Sequence, residues 1–325
     1  MTQERKPNVG VVRADERAGG GAATPSFAVP SGATTGLPGP LGSTRLGART
    51  FDWGSRTYVM GILNVTPDSF SGDGLLAAGG DAVAASVALG REMVAEGADI
   101  LDVGGESTRP GHEDVPADEE ARRVVPVITE LRRALPDTPI SIDTTKPAVA
   151  AAALDAGADV VNDTWGVAED GRLAELAGER GVPVVLMHNR DEARYTNLIP
   201  EILADLQRAI ERAVRVGVRW TDIVVDPGFG FGKAPQHNLA LLRDLGALRL
   251  LGRPILLGTS RKSTLGKVLD LPAGQRLEAT LATTALAVAA GADIVRVHDV
   301  RPNVRVARMA DAIVRGTWPG EGDRR

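Results

Sequence analysis

Cysteine is absent from this chain of 325 residues, which excludes disulfides, thiolate zinc sites, iron–sulfur clusters and cysteine nucleophiles. Histidine is scarce, and the four residues present are too far apart for the i, i+4 pair of an HExxH-type zinc site. Aromatic residues make up 3% of the chain, so the core must consist mainly of Ala, Val, Leu and Ile. No apolar run reaches the about 20 residues that cross a bilayer, and we expect no membrane partner.

Charge of either sign is spread along the chain. The net charge is −5 and there is no long basic block, so nucleic acid is not an expected partner. Residues 1–50 are rich in Gly, Pro, Ala, Thr and Ser without sustained apolar periodicity, which predicts a disordered N-terminal tail. The first residues contain no apolar segment of the kind found in signal peptides. We therefore expect a cytoplasmic protein.

Short apolar runs alternate with longer stretches of helical period from residue 51 onward. Strands that are apolar on both faces and are each followed by a helix predict a parallel sheet covered on its outside. Eight such units match a single-domain (β/α)8 TIM barrel of the α/β class over residues 51–316, with a short C-terminal tail over 317–325. A doubly wound open sheet is the alternative, but it usually has fewer strands and a Gly-rich turn after the first. The strand-like runs are 58–64, 99–104, 139–143, 159–163, 183–188, 222–227, 254–258 and 293–298.

A Gly-Ala-Asp phrase recurs at 97–99, 157–159 and 291–293, each time ending a helix-like stretch and starting a strand-like run. Glycine is the residue expected where a helix closes in the left-handed conformation. The repeat therefore supports the predicted order of helix and strand. The helix-like stretches include 81–97, 117–135, 147–157, 198–217 and 278–291.

Polar side chains collect at the C-terminal ends of the predicted strands, where the active sites of such barrels lie. Any one of them could be a helix cap or a turn residue, but capping alone does not explain so many at one pole. One set combines carboxylates, an amide and a cation, which suits a flat polar heterocycle with guanidine-like edges: Asp143, Asn162, Asp226 and Lys262. A second set consists of neutral or cationic donors, which suit a phosphate or pyrophosphate: Asn64, Thr108, Arg109, Arg296 and His298.

Eight motifs in order, one at each strand end, resemble those of the dihydropteroate synthases, of the pterin-binding barrel family. The resemblance covers residues from about 50 to 316. It implies that 6-hydroxymethyl-7,8-dihydropterin diphosphate reacts with p-aminobenzoate to give 7,8-dihydropteroate and pyrophosphate. The motifs are MGILNVTPDSFS at 60–71, DVGGESTRPG at 102–111, SIDT at 141–144, VND at 161–163, LMHN at 186–189, DPGFGFGK at 226–233, GTSRKS at 258–263 and RVHDV at 296–300.

The resemblance also implies a role for each matching residue. Asn64, Arg296 and His298 would bind the diphosphate, with Mg²⁺ held by the diphosphate and Asn64. The catalytic residues would be Asp143, Lys262, Arg296 and His298. The pterin would be bound by Asp143, Asn162, Met187, Asp226, Phe231, Lys262 and Arg296. The p-aminobenzoate, and a competing sulfonamide, would be surrounded by Thr108, Arg109, Pro110, Phe231, Ser260 and Lys262, with Gly258 also in the substrate-binding set.

The chemistry of these residues agrees with an SN1-like course, in which a carboxylate stabilises a developing cation. Two long loops, 64–74 and 104–116, would close over the site and exclude water. The first loop reads SFSGDG at 69–74 where the family commonly has SFSDGG. The loop aspartate expected near Mg²⁺ is therefore Asp73, one position later than in the family, and it would be the second metal residue.

Two alternatives share parts of this pattern. One is a methyltetrahydrofolate-dependent methyltransferase on the same barrel, which would have no reason to carry GESTRPG or GTSRKS. The other is a non-catalytic paralogue that binds pterin, against which the retained cationic residues argue. We expect a homodimer from the apolar outer helices near the end of the barrel and from the family resemblance.

Overall fold

A closed parallel barrel forms the centre of the structure. The computed structural model describes residues 41–66, 82–106, 114–166, 168 and 170–316. Within them eight parallel strands pair in the order β8-β7-β6-β5-β4-β3-β10-β9, and a bridge between Val225 and Ile255 joins the two ends. The predicted (β/α)8 barrel is confirmed. The strands are β3 Tyr58–Asn64, β4 Ile100–Gly104, β5 Ile140–Asp143, β6 Val160–Asp163, β7 Val184–Met187, β8 Ile223–Asp226, β9 Leu256–Leu257 and β10 Ile294–Val297.

Helices cover the outside of this barrel. Every predicted helix-like stretch is an α-helix, and four further α-helices lie in the described residues. No helix in this part of the chain is both long and apolar enough to cross a membrane. The helices are α1 Ala82–Ala95, α2 Ala117–Ala134, α3 Pro147–Asp155, α4 Arg172–Arg180, α5 Leu198–Arg215, α6 Pro235–Arg243, α7 Ser263–Leu269, α8 Leu277–Ala289 and α9 Val300–Val314.

Each strand alternates between two cores, because successive side chains point to opposite faces. In β4, Leu101 and Val103 belong to the large core between sheet and helices, whereas Ile100 belongs to a smaller core inside the barrel. Asp102 is in phase with Ile100 and is fully buried. In most strands the inward-facing residue nearest the C-terminal end lies at the C-terminal pole of the barrel. In several strands that residue is polar.

The Gly-Ala-Asp repeat builds the opposite, N-terminal pole. Its glycines take positive φ angles of 106°, 111° and 91°, where a side chain would be strained. Each aspartate that follows accepts a hydrogen bond from a backbone N–H near the start of a neighbouring strand: Asp99 from Val59 at 2.8 Å, Asp159 from Ile140 at 2.9 Å and Asp293 from Ile255 at 3.0 Å. The repeat is therefore a structural device that ties strand starts together.

An antiparallel hairpin of β1 Ser43–Leu46 and β2 Arg49–Asp52 packs against the inner core. Its Phe51 ring lies 4.6 Å from the ring of Tyr58, centroid to centroid, and Leu46 is buried as well. The predicted boundary at residue 50 between tail and barrel is therefore corrected, since residues 41–50 are part of the ordered structure. Sequence reasoning missed the hairpin because its strands are short and its apolar residues few. Residues 1–40 and 317–325 lie outside the described residues.

Candidate active site

The inward polar residues of neighbouring strands meet at the C-terminal pole. The register pairs Asn64 with Gly104, Gly104 with Asp143, and Asp143 with Asn162. On the other side of the barrel Met187 is paired with Asp226. Because the barrel closes, these residues, distant in sequence, line one end of its interior. The parallel register thus assembles the predicted heterocycle set from separate strands.

Arg296 of β10 holds two carboxylates inside the barrel. Its Nε donates to Asp102 at 2.5 Å and its Nη2 donates to Asp143 at 2.6 Å. Asn162 donates its amide to the same oxygen of Asp102 at 3.1 Å. Burial lowers the pKa of Arg296, but the two carboxylates raise it by more than burial lowers it, so the net shift of the pKa is upward. The guanidinium is therefore a permanent cation within this cluster.

Asp143 is balanced between its two ionisation states. Burial raises its pKa to about 7, Arg296 opposes that shift, and the neighbouring charge of Asp102 adds to it. The Oδ1 atoms of Asp143 and Asp102 are buried and have no hydrogen-bond partner among the described residues. An unpaired buried acceptor costs about 1–3 kcal/mol. The cluster is thus prepared for N–H donors from a ligand.

Asp102 is a site residue that sequence reasoning did not select, although it opens the second motif. It is fully buried in the middle of β4 and connects Arg296 with Asn162. A signal was present, because its carboxylate interrupts an apolar strand in phase with inward-facing Ile100. That signal becomes readable only once the inward face of the strand is known.

The segment after β8 contacts a lysine, Lys262, that comes from the segment after β9. Asp226 accepts a hydrogen bond from the backbone N–H of Gly228 at 2.7 Å, and burial raises its pKa. Lys262 donates to the carbonyl of Phe229, and its Nζ lies 4.4 Å from the ring centroid of Phe231. Burial lowers the pKa of Lys262 to about 8. Lys262 is therefore a half-buried cation beside an aromatic ring.

The segment after β9 forms the last wall. Ser260 Oγ accepts a hydrogen bond from the backbone N–H of His298 at 3.1 Å and lies 2.9 Å from its Nδ1. Arg261 has a φ of 58°, in the left-handed region that non-glycine residues rarely adopt. A bidentate pair with Asp299, at 2.7 and 3.1 Å, holds it there. A Cβ added to Gly258 would lie 3.6 Å from the Cβ of Arg296, an ordinary van der Waals distance, so Gly258 lies directly beside the stem of Arg296.

Four predicted site residues lie outside the described residues: Asp73, Thr108, Arg109 and Pro110. The other predicted residues all lie at the C-terminal pole. A cavity of about 660 Å³ lies elsewhere, beside Trp165 and α5. The charges that line it are largely paired, as where Arg190 donates to Glu201 and to Asp205, both at 2.8 Å. We therefore take the carboxylate cluster as the candidate active site.

Comparison with known proteins shows the family to which this chain belongs. The family of pterin binding enzymes matches residues 60–298, a range that contains every residue that the sequence predicts for the site. The dihydropteroate synthase of Clostridium beijerinckii is 48% identical over 272 residues, which is 83% of this chain and 99% of the relative. This chain belongs to the dihydropteroate synthase family. It is thereby placed among the transferases of folate biosynthesis.

Solved dihydropteroate synthases share the fold. A crystal structure of the enzyme from Clostridium difficile in the presence of pteroic acid is 51% identical, with a TM-score of 0.77, and the match covers 82% of this chain and 99% of that one. The Xanthomonas albilineans enzyme with 4-aminobenzoic acid is 41% identical, with a TM-score of 0.77 and a coverage of 83% and 98%. The dihydropteroate synthase barrel therefore accounts for nearly the full length of these relatives.

Proposed function

We propose that this chain condenses 6-hydroxymethyl-7,8-dihydropterin diphosphate with p-aminobenzoate to give 7,8-dihydropteroate and pyrophosphate, by an SN1-like course. The observation that carries the proposal is the buried cluster of Arg296, Asp102 and Asp143, with its two unpaired carboxylate oxygens. We further propose that the enzyme works in the cytoplasm, which agrees with its cysteine-free sequence.

The pterin would bind flat against the inner face of the pole. Its ring carries several N–H donors, and the carboxylates of Asp143 and Asp226 and the amide of Asn162 supply acceptors from three strands. Met187 is buried at the end of β7 and would form one wall of the slot, with Phe231 as another. N–H donors from the ligand favour the ionised form of Asp143 and so lower its pKa from about 7.

The diphosphate would lie toward Asn64, Arg296 and His298. Arg296 uses Nε and Nη2 on carboxylates, which leaves its Nη1 group for a phosphate oxygen. His298, oriented through Ser260, would donate from its other ring nitrogen.

A divalent cation fits this donor set as a companion of the substrate. The described residues contain no group of three His, Asp or Glu that could hold a metal by themselves. Mg²⁺ commonly keeps several waters and binds through one or two protein oxygens plus substrate phosphates, and the amide oxygen of Asn64 suits that arrangement. When bound, it would neutralise charge on the departing diphosphate. Asp73 as a second protein ligand remains a prediction from the sequence.

The chain's residues would act on a carbon that turns cationic. The bond from the exocyclic carbon to oxygen breaks, and both electrons leave with pyrophosphate. The carboxylate of Asp143 stabilises the resulting pterin cation in a buried site. The lone pair of the p-aminobenzoate amine then forms the C–N bond, and the surplus proton passes to solvent. The loops 64–74 and 104–116, predicted to exclude water during this step, lie largely outside the described residues.

The p-aminobenzoate would stack near Phe231, with its carboxylate toward Lys262 and Ser260 and with Thr108, Arg109 and Pro110 completing the subsite. A sulfonamide, of similar shape, would compete there. The test is a coupled pyrophosphate-release assay with the dihydropterin diphosphate, with and without p-aminobenzoate and Mg²⁺. We expect release of pyrophosphate together with dihydropteroate that requires both substrates. Pterin binding without any release would instead indicate the non-catalytic paralogue.

We also propose a homodimer through the outer face of α8 and α9. Three large apolar side chains stand exposed there, with exposed fractions of 59% for Leu286, 60% for Met309 and 71% for Ile313. Burying such a patch against a second copy would remove apolar surface from water. Light scattering should give twice the monomer mass for the wild type and the monomer mass for Met309→Lys combined with Ile313→Glu. A monomeric wild type would contradict the proposal.

A further inference from the structure

A buried lysine lies behind the candidate site and is used by no step proposed above. Lys233 ends the segment after β8 and is 9% exposed. Its Nζ lies 2.9 Å from Nδ1 of His188 and donates to the carbonyls of Phe231 at 3.0 Å and His188 at 3.4 Å. These three contacts match the three hydrogens of an ammonium group. No carboxylate within 4 Å pairs with it among the described residues, so its neighbours act as neutral acceptors.

The neighbours of His188 determine which of its ring nitrogens carries the hydrogen. It is fully buried directly after β7, and its Nε2 lies 3.1 Å from the carboxylate of Asp205. An ionised carboxylate only accepts, so Nε2 carries the hydrogen and Nδ1 is the acceptor that faces Lys233. Burial lowers the pKa of His188 to about 3, which keeps the ring neutral. A directed series therefore runs from Lys233 through His188 to Asp205.

The segment that Lys233 holds is the one that shapes the site. Residues 227–233 carry the Phe229 carbonyl that accepts from Lys262 and the Phe231 ring that packs beside it. The segment lies tightly on the end of β7: a side chain on Gly228 would meet the carbonyl of His188 at 1.8 Å, and φ at Gly228 is 68°. Contact with His188 therefore sets the position of this segment, and Lys233 makes the hydrogen bonds of that contact.

The charge of Lys233 is itself sensitive to its neighbours. Burial lowers its pKa to about 7, with a countering contribution from Asp226. The other charged and titratable groups that face it come from every element around it: His188 and Arg190 after β7, Asp205 on α5, and Lys262 after β9. Since the net shift of its pKa is downward, the contacts of Lys233 to three neutral acceptors offset the effect of burial only in part.

We propose that Lys233 is a positioning residue, which ties residues 227–233 to His188 and so places Phe231 and Lys262 for the second substrate. The proposal rests on the proposed function, since it assigns these two residues to the p-aminobenzoate subsite. The pterin also meets Phe231 and Lys262, but Asp143, Asn162 and Arg296 hold it from other strands that this tie does not reach. Loss of the tie should therefore affect p-aminobenzoate more than the pterin.

The test compares Lys233→Met with Lys267→Met, a change at an exposed lysine of α7. We expect Lys233→Met to raise KM for p-aminobenzoate by about tenfold or more, which is the order expected for misplaced substrate-positioning groups. KM for the dihydropterin diphosphate should rise by a clearly smaller factor, because Asp143, Asn162 and Arg296 still hold the pterin, and Lys267→Met should match the wild type. Melting temperatures establish that each variant is folded under the assay conditions.

A second pair of variants separates positioning from simple loss of packing. Asn at position 188 places an amide oxygen near the site of Nδ1 and so retains the acceptor for Lys233, whereas Leu removes it. We expect His188→Asn to keep KM for p-aminobenzoate near the wild-type value. We expect His188→Leu to raise this KM as Lys233→Met does. Equal changes in both KM values, or equal behaviour of the Asn and Leu variants, would overturn the proposal. A wild type that releases no pyrophosphate would refute the proposed function first, and this inference with it.

Discussion

Replacing Asp102 by Asn would isolate the electrostatic role of the residue that sequence reasoning missed. The change keeps the shape of the side chain and one acceptor oxygen, but it removes the charge that faces Arg296 at 2.5 Å. A hydrogen bond to a charged group contributes about 1.5–3 kcal/mol. Arg296 retains Asp143 as a partner, so we expect kcat/KM for the pterin substrate to fall by about ten- to a hundredfold.

The same change should move the acidic limb of the pH profile in a direction that packing alone does not predict. Burial raises the pKa of Asp143 to about 7, and the charge of Asp102 is one of the further causes. The wild-type kcat/KM should therefore fall as pH drops through about 7, where Asp143 takes up a proton. Without the charge of Asp102 the pKa of Asp143 decreases, and the limb should shift to lower pH even though the plateau is lower.

The assay is pyrophosphate release as a function of pH, with Asp99→Asn as the matched control. Asp99 also bonds a strand N–H, that of Val59, and pairs with Arg56 at 2.6 Å, but at the opposite pole. Its loss should lower the melting temperature and leave the acidic limb in place. A limb that stays unmoved in Asp102→Asn, or a plateau equal to that of the wild type, would refute the reasoning.

Three further predictions concern stability and substrate binding. Burial raises the pKa of Asp163 to about 7, so its folded-state pKa lies above its unfolded value; its contribution to stability is full below about pH 4 and is lost as pH rises through 7. Asp163→Asn, which keeps an acceptor for the N–H of Trp165, should raise the free energy of unfolding at pH 8 by about 2–4 kcal/mol in urea titrations, and no gain would contradict this. Deleting residues 1–40 should leave activity and melting temperature nearly unchanged, whereas deleting 1–48 removes β1 and should lower the melting temperature; equal melting temperatures would show that the hairpin contributes little. Lys262→Ala should raise KM for both substrates, and an unchanged KM for p-aminobenzoate would contradict its shared placement.

Local patterns along the sequence determined the barrel and the pole of the site. Apolar runs of strand length and stretches of helical period predicted the eight strands, because side-chain alternation and helical repeat are properties of neighbouring residues. Strand ends and ordered motifs then indicated Asp143, Asn162, Asp226 and Arg296, since parallel strands must deliver their C-terminal ends to one face.

Only the tertiary structure decided which of these groups touch. Arg296 meets Asp102 across 194 positions of the chain, and Lys233 meets His188 across 45. Such contacts depend on barrel closure and on strand register, which no local period encodes. The hairpin at residues 43–52 is a further case: its residues carry a weak strand signal alone and become ordered because Phe51 and Leu46 fill the open N-terminal end of the barrel. The sequence thus determined which chemistry was present at the pole, and the closed barrel decided how its charges are paired.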